Sequence, residues 1–161
     1  MTLLHLLRHA HAGDSTTWDG PDAVRPLSDK GRAQADRLGH FLADLGFAPD
    51  VVITSPLVRA VQTAEIVSAL LGASLAIDDR LGGPLDVRTV DAILAGHGDP
   101  LQPVLVGHDP DFTDLVAMLC GAAGVPMRKG SFARIETTRP LLPGGGTLRW
   151  LVPPDLLKPE R

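Results

Sequence analysis

The chain begins with a short apolar run, Leu3-Leu4-His5-Leu6-Leu7, that stops abruptly at Arg8-His9. A continuous apolar run of this length, followed by a polar, Gly-containing segment over residues 12–20, reads as a strand buried on both faces. Strands of that kind belong to parallel sheets covered by helices. Open α/β sheets hold their ligands in a crevice beyond the carboxyl ends of the strands, which is where Arg8 and His9 fall. The first expectation is therefore that His9 is a nucleophile and that Arg8 binds the group it attacks.

Two further runs behave in the same way. Val51-Val52-Ile53-Thr54-Ser55 is rich in β-branched residues, and Pro103-Val104-Leu105-Val106-Gly107 again ends in a histidine, His108. Helical periodicity follows each run. Ser28 reads as an N-cap before Asp29, and Leu38, Phe41, Leu42 and Leu45 recur at helical spacing, predicting a helix over residues 29–45 that Gly46 ends. Ser55-Pro56 opens a second helix, with Leu57, Val61, Ala64, Val67 and Leu71 as its inner stripe and Gly72 as its stop. Arg59 falls one turn inside it. A weaker strand over 74–77, a polar connection over 78–86 and a short helix over 87–94 precede the third run. Asp109-Pro110 then starts a helix on which Phe112, Leu115, Val116 and Leu119 share a face.

Residues 131–138 and 147–152 read as antiparallel strands joined through Pro143-Gly144-Gly145-Gly146. This order predicts an α/β fold: a three-layer α/β/α sandwich whose central sheet is mostly parallel, with a C-terminal antiparallel edge hairpin. A single domain is expected over residues 1–152, and a Pro-rich, charged tail over 153–161.

Composition enters as a set of exclusions. A net charge of −4 argues against a broad basic surface for nucleic acid, though it leaves room for a local basic pocket. The single cysteine, Cys120, cannot close an intrachain disulfide, no cysteine cluster exists for zinc, and this fits a reducing cytosol. No apolar run approaches the length of a membrane span. The first run is short, lacks a basic flank and is broken by His5 and Arg8, so it does not read as a secretory signal. A cytoplasmic location without membrane or nucleic-acid partners is expected.

Parallel strands place their strand-to-helix junctions on one edge. Arg8, His9, Arg59 and His108 should then converge, next to a helix N-terminus at Pro110. Arginine forks bind phosphoryl oxygens bidentately, and a helix N-terminus adds donors and partial positive charge. There is no GxxxxGK[ST] loop and no carboxylate cluster for magnesium. Neither a metal nor another cofactor is expected. Chemistry would rest on cationic stabilisation and a protein nucleophile, and nearby arginines should keep that imidazole unprotonated.

Four segments carry a resemblance. Leu7-Arg8-His9-Ala10-His11-Ala12 resembles the RH[GA] signature of the histidine phosphatase superfamily, the phosphoglycerate mutase-like group. Arg25-Pro26-Leu27-Ser28-Asp29-Lys30-Gly31, Ser55-Pro56-Leu57-Val58-Arg59-Ala60-Val61-Gln62-Thr63-Ala64 and Val106-Gly107-His108-Asp109-Pro110 resemble the RPL[ST]xxG, SPxxRAxQTA and GHxP segments of its SixA-type phosphohistidine phosphatase branch. They occur in the family's order. The resemblance implies a metal-independent phosphatase in which His9 is phosphorylated and Arg8, Arg59 and His108 hold the phosphoryl group. It also implies that Arg25 and Ser15 approach from the loop.

The departures from the superfamily pattern narrow the substrate. Many phosphomonoesterases of the superfamily carry an acidic residue where this chain reads Arg80-Leu81-Gly82-Gly83-Pro84. An alkoxide leaving group needs a proton, whereas the imidazole of a phosphohistidine leaves with a conjugate-acid pKa of about 6.5. Phosphohistidine on a protein is therefore the expected substrate. A small phosphorylated metabolite is the alternative, and a non-catalytic phosphate-binding module is a third reading. Asp78, Asp79, Asp86 and Asp109 are the candidates for a displaced acid.

Several residues have plainer readings. His9-x-His11 lacks a second pair to complete a metal site, His5 should be satisfied by a hydrogen bond in the core, and His40 and His97 should be solvated. Arg32 and Arg37 read as helix-surface charges. Trp18 either lines the pocket mouth or covers the core.

Overall fold

In the computed structural model, which describes residues 1–159, one six-stranded sheet organises the chain. Its strands are β1 (Thr2–Arg8), β2 (Val51–Thr54), β3 (Leu75–Ile77), β4 (Pro103–Gly107), β5 (Phe132–Thr137) and β6 (Thr147–Val152), in the order β3-β2-β4-β1-β5-β6. The first four are mutually parallel, while β5 and β6 are antiparallel and form one edge. The helices are α1 (Asp29–Asp44), α2 (Val58–Leu71), α3 (Val87–Gly96) and α4 (Asp111–Cys120). This is the expected α/β sandwich.

The alternation of side chains along each strand divides the core in two. Leu4, Leu6, Ile53 and Leu105 point to the face covered by α3 and α4, where Val90, Leu94, Phe112 and Leu115 lie. Leu7, Val52, Val104 and Phe132 point to the opposite face, covered by Leu38 and Leu42 of α1 and Ala64 and Val67 of α2. Central strands covered on both sides have no solvent face, which is why their sequences are continuous apolar runs. His5 is the exception within β1. It is fully buried beside Phe47 and Phe132, with Nδ1 2.9 Å from the Pro103 carbonyl and Nε2 accepting from Arg134 Nε at 3.0 Å.

The local signals act as their chemistry dictates. The Ser28 hydroxyl accepts from the Gly31 amide and caps α1. Gly72 ends α2 in the left-handed conformation, at φ 62°. The second helix begins at Val58, so Arg59 lies in its first turn rather than one turn inside it. In the C-terminal segment, Pro154–Leu157 forms a 3₁₀ turn, and Leu157 packs against the core on the α1 side. Glu160 and Arg161 of the expected tail lie outside the described residues. Among the described residues, no helix is long and apolar enough to cross a membrane.

Candidate active site

β4 lies between β1 and β2, so the ends of these three parallel strands adjoin, and the junctions after them meet. His9 leaves β1 with its amide still bonded to the Gly107 carbonyl of β4, at 3.0 Å. The next amide, Ala10, donates to Thr63 Oγ1 at 3.1 Å, and that hydroxyl donates to the Arg59 carbonyl one turn earlier on α2, at 2.8 Å. The segment bearing His9 is thus tied to the helix bearing Arg59.

The His9 ring is buried. Its Nδ1 lies 2.8 Å from the Ala10 carbonyl, which can only accept. The proton of the neutral ring therefore resides on Nδ1, and Nε2 carries the lone pair. Burial first, then the charges of His108, Arg59 and Arg8, push the His9 pKa down to about 3, against a smaller upward effect of the Ala10 carbonyl. The arginines contribute as expected, but removal from water is the larger cause.

His108 stands beside it, with ring centroids 5.2 Å apart. Its Nε2 is 2.7 Å from Ser55 Oγ, while Nδ1 is buried and has no partner among the described residues. Burial, then Arg59 and Arg8, push its pKa down to about 4, with Asp22 opposing. Arg8 donates from Nη1 to the Met127 carbonyl at 2.9 Å and forms a 3.4 Å ion pair with Asp109. The Nε atoms of both Arg8 and Arg59 are buried and unpartnered among the described residues. Unpaired buried donors next to a lone-pair nitrogen describe a site prepared for an anion's oxygens.

Asp22 is the residue that sequence reasoning missed. It opens a 3₁₀ turn, Asp22–Val24, in the loop after β1. Its carboxylate accepts from Arg59 Nη2 at 3.0 Å and from Arg25 Nε at 3.1 Å, and its carbonyl accepts from Arg59 Nη1 at 2.9 Å. These arginines hold the carboxyl below its usual range. Arg25, itself buried, also donates to the Ala12 carbonyl at 2.6 Å and so joins the group through Asp22. Lys129 is a further cation missed in the sequence. It lines a groove together with Arg8, and burial and then the charges of Arg8, Arg25 and Arg59 lower its pKa. Ser15 is not brought to this group: it is exposed on a turn and makes no hydrogen bond among the described residues. Trp18 is also exposed at the mouth of a small cavity it shares with Arg25, and its Nε1 donates to the Pro21 carbonyl at 3.0 Å.

The displaced-acid candidates are engaged elsewhere. Asp78 is gripped by Arg80 and His97, which hold its carboxyl far below the carboxylate range. Asp86 caps α3 at the Thr89 amide, and Asp109 divides its oxygens between Arg8 and Thr113. Asp79 is exposed on the 3₁₀ turn Asp79–Gly82. Among the described residues, no three His, Cys, Asp or Glu side chains group to hold a metal ion.

The family model of the histidine phosphatase superfamily (branch 1) matches residues 4–83. The chain is 32% identical over 157 residues to the phosphohistidine phosphatase SixA of Escherichia coli (strain K12), covering 95% of this chain and 94% of that protein. The chain belongs to the histidine phosphatase superfamily. The phosphatase also superposes on a solved structure of the protein histidine phosphatase SixA complexed with tungstate, with TM-score 0.83 and 27% identity, over 98% of this chain and 100% of that one. A 2,3-bisphosphoglycerate-dependent phosphoglycerate mutase from Thermobifida fusca (strain YX) is 45% identical over 71 residues, which is 41% of this chain but 27% of the mutase. The likeness to SixA runs the length of the phosphatase, whereas the likeness to the mutase is confined to part of it.

Proposed function

We propose that the phosphatase removes the phosphoryl group from phosphohistidine on a protein, through a phosphoenzyme formed on His9. The observation that carries this reading is the Ala10 carbonyl at His9 Nδ1, which leaves the lone pair on Nε2 of a ring that stands beside His108 and within the field of Arg8 and Arg59. Nε2 attacks phosphorus and the bond from phosphorus to the substrate imidazole breaks. The electron pair of that bond departs on the imidazole nitrogen. When the other nitrogen of the substrate ring carries a proton, the ring leaves as neutral imidazole and needs no acid from the enzyme. Water then attacks the phosphorus, the Nε2–P bond breaks, and phosphate leaves. The unpartnered Nε atoms of Arg8 and Arg59 and the unpartnered His108 Nδ1 supply donors for the equatorial oxygens as charge redistributes.

The state of the carboxylates supports this choice of substrate. Those nearest the arginines, Asp22 and Asp109, are both committed to ion pairs, and the connection after β3 offers Gly82 and Gly83. A site without a free carboxylic acid suits a P–N bond better than an ester. The Escherichia coli relative, named a phosphohistidine phosphatase, and the solved SixA structure, that of a protein histidine phosphatase, support the same choice. A cytoplasmic enzyme with its lone Cys120 reduced is the setting this implies.

The test is to incubate the protein, without added metal, with a radiolabelled phosphohistidine carrier protein and in parallel with simple phosphate esters. Phosphate release from the carrier, with an acid-labile, alkali-stable phosphoenzyme that disappears in His9→Ala, is the expected result. Fast ester turnover with an inert phosphoprotein would transfer the site to small phosphorylated metabolites.

A further inference from the structure

Arg8 and His11 line a groove that runs away from His9 along α1 and the C-terminal segment. This groove has a volume of about 610 Å³ and three walls. Lys30, Ala33, Gln34 and Arg37 of α1 form the first, at the i, i+3, i+4, i+7 spacing that puts them on one face. Arg128 and Lys129, in the connection between α4 and β5, form the second. The C-terminal segment forms the third, with Asp155 and Lys158. Arg37 is a charge on the surface of α1, as expected, but it is half-buried, and its Nε is enclosed without a partner among the described residues. Lys30, Arg37, Arg128, Lys129 and Lys158 form no ion pair among the described residues, and Asp155 is the one acid in the lining. A chain of net charge −4 thus concentrates unpaired cations beside Arg8.

We propose that this groove docks an acidic segment of the protein whose phosphohistidine enters the pocket; the occupant rests on the function proposed above. Lys30 and Arg37 are seven residues apart on a helix, about 10 Å along its axis. The other cations stand on two different walls. A phosphoryl group at His9 that belongs to a small metabolite leaves most of these charges unused, whereas an extended run of carboxylates reaches them. Nucleic acid fits less well, because the lining holds no Phe, Tyr or Trp on which successive bases can stack, and its one aromatic ring, His11, is tied to Ser28 Oγ at 2.6 Å. Open charge complementarity of this kind steers encounter and fixes register more than it adds affinity, and it weakens with salt.

Two measurements test the groove separately from the chemistry. The first is fluorescence anisotropy of a labelled peptide carrying a run of glutamates, compared with the same peptide carrying glutamines. The glutamate peptide should bind at low salt, at least about tenfold more tightly than its glutamine counterpart, and lose that advantage as salt rises. The K30Q/R37Q/R128Q/K158Q variant should lose it too. R128E/K158E, changed only at exposed positions, should do the same if the fourfold variant folds poorly. The second is turnover. A phosphohistidine peptide flanked by glutamates should show a KM at least about tenfold below its glutamine-flanked counterpart, with similar kcat. Turnover of phosphoramidate, too small to reach the groove, should be unchanged in the variants. Equal binding of the two labelled peptides overturns the groove while leaving phosphohistidine turnover intact. Tighter binding of a single-stranded oligonucleotide than of the glutamate peptide also overturns it. Glutamate binding with inert phosphohistidine substrates would retain the groove and defeat the proposed function.

Discussion

Ser55 is wholly buried, and its oxygen has two partners: the Leu57 amide, which donates to it at 3.2 Å, and His108 Nε2 at 2.7 Å. The Leu57 amide fills a lone pair of the hydroxyl. The hydroxyl proton has one acceptor within reach, His108 Nε2. That choice places the imidazole proton of His108 on Nδ1, the nitrogen that is buried without a partner. Ser55 therefore acts as a positioning residue that sets the tautomer of His108, as the Ala10 carbonyl sets that of His9. Ser55→Ala should lower kcat roughly fivefold to tenfold, the worth of one buried hydrogen bond, with little change in KM. The same substitution in a His108→Ala background should have no further effect on kcat. An equal loss in both backgrounds would assign Ser55 to stability alone.

At the scale of the element, the start of α1 is fastened to the exit of β1. Ser28 Oγ is 2.6 Å from His11 Nδ1 and 3.2 Å from the His11 carbonyl, and the Ser28 amide donates to that same carbonyl at 3.0 Å. Gly31 lies against it, and a Cβ there would overlap the His11 carbonyl oxygen, a backbone atom that cannot swing aside. Gly31→Ala should therefore displace the helix from the peptide next but one to His9. We expect a loss of at least about 2 kcal/mol of stability, seen as a fall in Tm of several degrees, and a parallel loss of kcat/KM. Gly83→Ala is the control: a Cβ there meets nothing within 4 Å and its φ is −118°, so stability should change by less than about 0.5 kcal/mol. The glycine of the Arg25-to-Gly31 segment was legible in the sequence as a motif letter; its cause, contact with a strand exit twenty residues earlier, was not. The same division holds across the site. Arg8, His9, Arg59 and His108 could be placed together because parallel strands send their exits to one edge. Asp22 meets Arg59 across 37 residues of chain, from a loop without periodicity that carries no signal of where it folds. Ser55 and Thr63 were visible as residues of a matching segment, but their partners, His108 and Ala10, come from other elements.

The whole molecule encloses three histidines in neutral form: His5 in the core, and His9 and His108 at the sheet edge. Burial pushes their pKa values down to about 4, 3 and 4 respectively. In the unfolded chain each returns to about 6.5. Between these limits the unfolded state binds more protons than the folded one, so stability rises with pH through this window and levels off above about 6.5. Each histidine contributes up to about 1.4 kcal/mol per pH unit there, and with partial relaxation of the buried sites we expect at least about 2 kcal/mol less stability at pH 5 than at pH 7. The paired carboxylates act in a different window. Asp22, Asp78, Asp86 and Asp91 have lowered pKa values, so their contribution is present above the unfolded carboxylate pKa of about 3.9 and is lost only as pH falls below it. A decline that begins near pH 6.5 therefore reports the histidines, and one that begins near pH 4 reports the carboxylates. Urea unfolding at half-unit steps from pH 7.5 to 4.5 separates them, and constant stability down to pH 5 would show that the histidines are not held neutral by the fold. The same enclosure keeps the His9 Nε2 lone pair available throughout that range, so loss of activity on acidification should follow loss of folded protein rather than precede it. Measuring the folded fraction and the phosphatase rate on the same samples decides the order.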